Sequence, residues 1–173
     1  MTKDEMKKVV CQAIDEATEK IHETVLRIES EPELGYKETK TAAKVESYMK
    51  ELGLTPQTGL ALTGVKTCVD GGKKGPAVAV LAELDAVGTP DSPKADPLTG
   101  AAHTCGHFLQ MASMLAACTG IVKSDVMKDL AGSAVFFAVP AEEYVEIDYR
   151  KRLVKEGKIH FPVSYTHLTL PTT

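Results

Sequence analysis

The chain has little of what would tie it to a membrane or to a nucleic acid. Its longest apolar-leaning stretches, residues 77–84 and 131–141, are far too short to span a bilayer. Basic residues do not outnumber acidic ones: 20 Lys and Arg stand against 24 Asp and Glu, a net charge of −4 with pI ≈ 5.7. No general positive field therefore exists to hold a polyanion. The opening residues Met1-Thr2-Lys3-Asp4-Glu5 contain no apolar run of the kind a secretory signal needs. The four cysteines (Cys11, Cys68, Cys105 and Cys118) are scattered, and without such a signal they read as reduced thiols rather than a disulfide framework. No internal repeat is found. The expectation is a cytoplasmic protein with neither a nucleic-acid nor a membrane partner.

What is there is the make-up of one soluble domain. The 173 residues are 43% hydrophobic and 25% charged, enough to bury a core. Met6, Val9, Val10, Ala13, Ala17, Ile21, Val25 and Ile28 recur at spacings of three and four, which predicts one long amphipathic helix over residues 3–29. Pro32 ends that element. A second helix is expected over residues 38–52, burying Ala42, Val45, Tyr48, Met49 and Leu52, with Gly53 as its left-handed stop. Residues 60–69 have strand composition and close at the turn Asp70-Gly71-Gly72. Residues 77–82 (A-V-A-V-L-A) suit a strand buried on both faces. A Pro-rich loop over residues 88–100 precedes a third helix marked by Met111, Met114, Leu115, Cys118 and Val122. Ser133–Val139 reads as a second buried strand, stopped by Pro140, and residues 144–156 as a charged surface helix. The order argues for an α/β fold, a layered sheet with flanking helices. The last eleven residues, 163–173, break the pattern. They resemble the translation of a sequencing-library adaptor and are set apart as a non-native tail.

Two clusters could carry chemistry. His103-Thr104-Cys105-Gly106-His107 lies between the Pro-rich loop and the third helix; Pro140-Ala141-Glu142-Glu143 follows the second buried strand. Thiolate, imidazole and carboxylate are the donors that hold zinc and similar divalent ions. Cys105 and His107, two apart, would diverge on a regular helix, but on a loop opened by Gly106 they can converge. A helix N-terminus and any metal would lower the pKa of Cys105. Two adjacent glutamates at a strand end are expected to splay, one carboxylate ligating and the other facing water as a general base. Such sites lie beyond the carboxyl ends of strands in open α/β sheets. Each feature taken singly also fits an ordinary surface: Glu-Glu before a charged helix suits a solvated first turn, and Cys11, Cys68 and Cys118 pack as small apolar residues.

The ordered combination is more specific. Pro32-Glu33-Leu34-Gly35-Tyr36-Lys37-Glu38, Thr41, Leu60-Ala61-Leu62-Thr63-Gly64-Val65, Ala82-Glu83-Leu84-Asp85-Ala86, His103-Thr104-Cys105-Gly106-His107 and Pro140-Ala141-Glu142-Glu143 follow in one sequence. Over residues 1–162 the chain resembles the amidohydrolase branch of the two-metal aminoacylase/carboxypeptidase family, which includes hippurate hydrolases and indoleacetyl-amino-acid hydrolases. The resemblance implies the amino-terminal part of a catalytic domain that hydrolyses N-acyl amino acids or related small amides with two divalent ions (zinc, manganese or cobalt). It implies Cys105, His107 and Glu143 as metal ligands and Glu142 as the base that activates the hydrolytic water. Two further histidine ligands and a lid domain that mediates homodimerisation would lie later in the chain, so the polypeptide as written is expected to be inactive. His160 falls too early to match the first of these histidines and His167 lies in the odd tail.

The pattern departs from the family at two places. Phe108 stands where Asp or Asn commonly follows the Cys-Gly-His motif. Ala82-Glu83-Leu84-Asp85-Ala86-Val87 replaces the usual Arg-x-Asp-Met-Asp-Ala-Leu, closer to the variant of aminobenzoyl-glutamate-cleaving relatives, with Asp85 expected to orient the site rather than ligate. Two other readings stand beside this one. The first is a non-enzymatic α/β domain holding at most one structural ion. The second is a thiol hydrolase with Cys105 as nucleophile and His103 or His107 as its base.

Overall fold

A computed structural model describes residues 1–143 and 147–159 of the chain. The periodic stripe over residues 3–29 forms two helices, α1 (Lys3–Asp15) and α2 (Thr18–Glu29), instead of the single helix expected. The break is local hydrogen-bond competition: the Ala17 N–H and the Thr18 hydroxyl both donate to the Ile14 carbonyl, at 3.0 and 3.2 Å, and tighten the turn. Ala13, Ala17, Ile21, Val25 and Ile28 are nonetheless all buried, so the stripe runs through the break. Helix α3 (Thr39–Glu51) matches expectation within a residue at each end, and Gly53 (φ +82°) stops it.

Residues 57–70 form a hairpin, β1 (Gln57–Leu60) and β2 (Gly64–Asp70), whose turn places Ala61 and Leu62 at positive φ. β3 (Ala77–Glu83) follows, and the Pro-rich loop is closed at its base by β4 (Val87–Gly88) pairing with β5 (Ala101–Ala102). Helix α4 (His107–Lys123), a 3-10 turn over Val126–Asp129, β6 (Ser133–Val139) and α5 (Ile147–Lys155) complete the described chain. The four-stranded sheet has the order β1-β2-β6-β3, with β2 antiparallel and β3 parallel to β6.

Helices α2, α3 and α4 lie on one face of this sheet. Val45 and Met49 of α3, Ile21, Val25 and Ile28 of α2, and Met111, Met114, Leu115 and Cys118 of α4 share a core with Val65, Ala82, Phe136 and Ala138. Strand β3 is therefore not buried on both faces. It is the outer strand: Val80 and Ala82 turn toward the helices, while Leu81 faces away and is 47% exposed. A continuous apolar run reads alike for a central and an edge strand. Helix α5 is also less superficial than its charge suggests. Its Leu153 is buried in a second small cluster with Tyr36, Ala141 and Ile159. Residue 144, the expected start of that helix, and the tail with His160 and His167 lie outside the described residues. No described helix is long and apolar enough to cross a membrane.

Candidate metal centre

The parallel pair β3 and β6 sends both chain ends out on the same side, and the N-terminus of α4 meets them there. Glu83 and Asp85 leave β3, Glu142 and Glu143 follow β6, and Cys105 and His107 flank Gly106, which caps α4 at φ +92°. That φ costs glycine nothing and would strain any residue with a Cβ. It turns Cys105 and His107 toward one point.

His107 is the hub. Its ring is buried, with Nδ1 2.9 Å from the Asp85 carbonyl oxygen and 3.4 Å from Asp85 Oδ1. Nε2 faces three more carboxylates: Glu83 Oε2 at 2.9 Å, Glu143 Oε1 at 3.5 Å and Glu142 Oε2 at 3.7 Å. Donor atoms of Cys105, His107 and Glu143 all lie within 4.8 Å of one another, and so do those of Glu83, His107 and Glu142. All four residues singled out from the sequence are thus brought together.

The adjacent glutamates, expected to splay, fall into separate donor groups around His107, Glu143 with Cys105 and Glu142 with Glu83. Ala141 sits in the left-handed region (φ +54°), the chain turns at Glu142 and Glu143, and both carboxylates converge on one imidazole nitrogen. The helix N-terminus does not lower the Cys105 thiol as expected: burial and the Glu143 carboxylate push it above its ordinary value, outweighing the His107 N–H that lowers it. Burial disfavours the His107 imidazolium, but Asp85 and Glu83 outweigh burial and raise its pKa to about 9. A protonated thiol beside a protonated imidazole is the wrong pair for a thiol nucleophile with His107 as its base. His103, the other base considered, is pulled down to about 4 by burial and the His107 charge, and its ring tilts against Phe108.

The donor set fits a cation. A soft thiol, an imidazole and a carboxylate with donor atoms within 4.8 Å of one another could hold a borderline metal, and Asp85 ties up Nδ1 so that Nε2 is the nitrogen presented. Asp85 also accepts from the Glu143 N–H at 3.1 Å, the orienting role expected of it. Glu83 was missed as a member of the cluster. The period-two alternation of a strand could have found it, since residues 83 and 85 leave β3 on the same side.

No family model matches the chain. It is 32% identical over 142 residues to YhaA of Bacillus subtilis (strain 168), a protein named as an amidohydrolase, covering 80% of this chain and 35% of that one. Thermostable carboxypeptidase 2 of Saccharolobus solfataricus is 32% identical over 136 residues, covering 76% and 34%. The chain belongs to the amidohydrolase branch of the aminoacylase/carboxypeptidase family. Among solved structures the fold matches the Bacillus subtilis protein YXEP, described as a dinuclear metal binding peptidase from the M20 family. The TM-score is 0.63 at 24% identity, over 80% of this chain and 39% of that one. This member of the branch spans about a third of the length of the relatives it matches. The motifs that suggested the family sit where the fold converges: each of the last three contributes side chains to the cluster around His107.

Proposed function

We propose that this chain supplies one side of a metal centre that hydrolyses the amide bond of N-acyl amino acids or related small amides. The observation that carries the reading is the convergence of Cys105, His107 and Glu143 within 4.8 Å, with Glu142 beside them. Cys105, His107 and Glu143 would hold one of two divalent ions, of the zinc, manganese and cobalt class; the dinuclear character stated for the M20 structure supports the pair. Bound there, such ions supply Lewis acidity toward a carbonyl and lower the pKa of water.

The residues of this chain divide the remaining tasks. Asp85 holds the His107 ring so that Nε2 is the atom offered. Glu142 is 45% exposed, and burial with the charges of Glu83 and Glu143 holds its carboxyl above the usual range. A carboxylate with a raised pKa is the better proton acceptor, so Glu142 takes the proton of the attacking water and returns it to the leaving amine. The full-length protein is the competent form in this reading, with the remaining ligands and the pocket lying beyond the described residues. The four cysteines of this chain are free thiols, which fits a reducing compartment such as the cytoplasm.

The test uses the full-length protein with an N-acyl amino acid panel. Turnover should vanish with a chelator and return with manganese or zinc. Glu142→Gln should lower turnover about 10²–10⁴-fold at unchanged metal content. Activity indifferent to chelation but abolished by thiol alkylation would sink the proposal.

A further inference from the structure

Glu38 starts α3, and its carbonyl accepts the Ala42 N–H at 2.9 Å, yet its side chain makes no capping bond to that helix. The free N–H groups of the first turn are served by Glu33, whose carboxylate accepts from Lys40 N at 3.1 Å and Thr41 N at 2.8 Å. The Glu38 side chain points instead into the protein and is wholly buried, a rare place for a carboxylate. Each of its oxygens has a donor: Oε2 accepts from the Thr63 hydroxyl at 2.7 Å, and Oε1 accepts from the Ala141 N–H at 2.8 Å.

Ala141 is the residue that turns the chain immediately before Glu142 and Glu143. Its φ of +54° is uncommon for a residue with a Cβ and persists only where the surroundings over-determine it. Three contacts do so. Glu38 holds the N–H, Arg150 donates to the carbonyl oxygen, and the methyl lies against Gly35, where an added Cβ would come within 2.9 Å of it. Two residues on, Asp85 takes the Glu143 N–H.

We propose that Glu38 is a positioning residue for the Glu142–Glu143 pair, holding the left-handed turn at Ala141 that aims both carboxylates at His107. It acts through the Ala141 backbone rather than by contact with the cluster. What the pair holds rests on the metal reading above, but the clamp can be tested apart from it.

The test takes the chain in ¹⁵N-labelled form and measures two quantities: hydrogen exchange at the Ala141 amide, and affinity for Co²⁺ read from its thiolate charge-transfer band. Glu38→Gln keeps an oxygen for the Ala141 N–H, and its amide can donate to the Thr63 hydroxyl, so both quantities should stay within about threefold of the parent. Glu38→Ala removes the acceptor. The Ala141 amide should exchange at least about tenfold faster, and Co²⁺ affinity should fall about 10–100-fold, the usual cost of losing an outer-shell partner. Gly35→Ala leaves the hydrogen bonds in place but pushes on the Ala141 methyl, and it should weaken Co²⁺ binding in the same direction. It decides the matter if Glu38→Ala does not fold. Unchanged Co²⁺ affinity in a folded Glu38→Ala or in Gly35→Ala overturns the proposal. So does a Glu38→Gln variant as weak as Glu38→Ala, which would assign the effect to charge. A parent chain that binds no Co²⁺ leaves the metal reading to the full-length test above, and the clamp then stands or falls on Ala141 exchange in parent against Glu38→Ala.

Discussion

At the residue scale, the two histidines of the His103–His107 segment are set in opposite directions by their surroundings. Both ring nitrogens of His103 are buried with no close hydrogen-bond partner among the described residues, and burial and the His107 charge lower its pKa to about 4. Its unfolded value is about 6.5, so between those limits the unfolded chain binds more protons and stability falls as pH falls. His107, raised to about 9, stays protonated in the folded state across that window and adds an opposing slope only near its upper end, where the unfolded imidazole begins to lose its proton. His103→Leu should therefore flatten the acid side of a plot of urea midpoint against pH. The difference from the parent should reach about 2 kcal/mol by pH 4, after allowance for partial exposure. Superimposable curves would refute this. The motif around residues 32–41 shows what was legible at this scale and what was not. Glu33, Gly35, Glu38 and Thr41 were visible as a pattern, but a pattern does not say which atom a carboxylate reaches. Glu33 caps a helix seven and eight residues on, whereas Glu38 reaches 103 residues along the chain.

At the scale of elements, periodicity located most helices and strands but not their partners. Ser133–Val139 and the helix after residue 38 were readable because their apolar spacing is regular and glycine or proline bounds them. The α1–α2 break was not, because a threonine hydroxyl competing for one carbonyl leaves the hydrophobic stripe unchanged. Nor was the pairing of β4 with β5, two residues each, too short for any period to register. The register of β3 on β6 depends on a close approach that the sequence marks only by a glycine. Gly132 has φ +89°, its N–H donates to the Lys73 carbonyl at 2.8 Å, and an added Cβ would meet the Pro76 carbonyl oxygen at 1.9 Å. Backbone cannot yield by that much without moving the start of β6. Gly132→Ala should cost at least about 3 kcal/mol, the sum of a disfavoured φ and a steric shift, read as a lower urea midpoint with unchanged slope. A midpoint within error of the parent would mean that the strand start adapts.

At the scale of the whole molecule, the candidate site residues were legible in the sequence and the fold supplied their meeting point. Cys105, His107, Glu142 and Glu143 lie in two contiguous motifs, so they could be read directly. Glu83 joins them only because β3 runs parallel to β6 and ends on the same side. The same sheet carries a consequence on its other face. Among the described residues β3 pairs only with β6, which leaves one edge of an apolar strand unpaired, and on the face away from the helices Leu81 is 47% exposed. Cys68 is exposed on β2, and Val135 and Phe137 of β6, on the side away from the core, are half-buried. An apolar edge with unpaired N–H and C=O groups is a template for another strand, and proteins normally blunt it with charge or cover it; Lys66 brings charge to this face, but from β2, two strands away from β3. This 173-residue chain should therefore self-associate as its concentration rises, seen as a growing sedimentation coefficient between roughly 5 and 200 µM. Leu81→Lys puts a charge on the open face without touching the helix-packed side, so it should shift the chain toward monomer while leaving the thermal midpoint within about 2 °C. Concentration-independent sedimentation of the parent would show that this edge and face are already protected. A Leu81→Lys variant that associates as the parent does would move the contact elsewhere on the molecule.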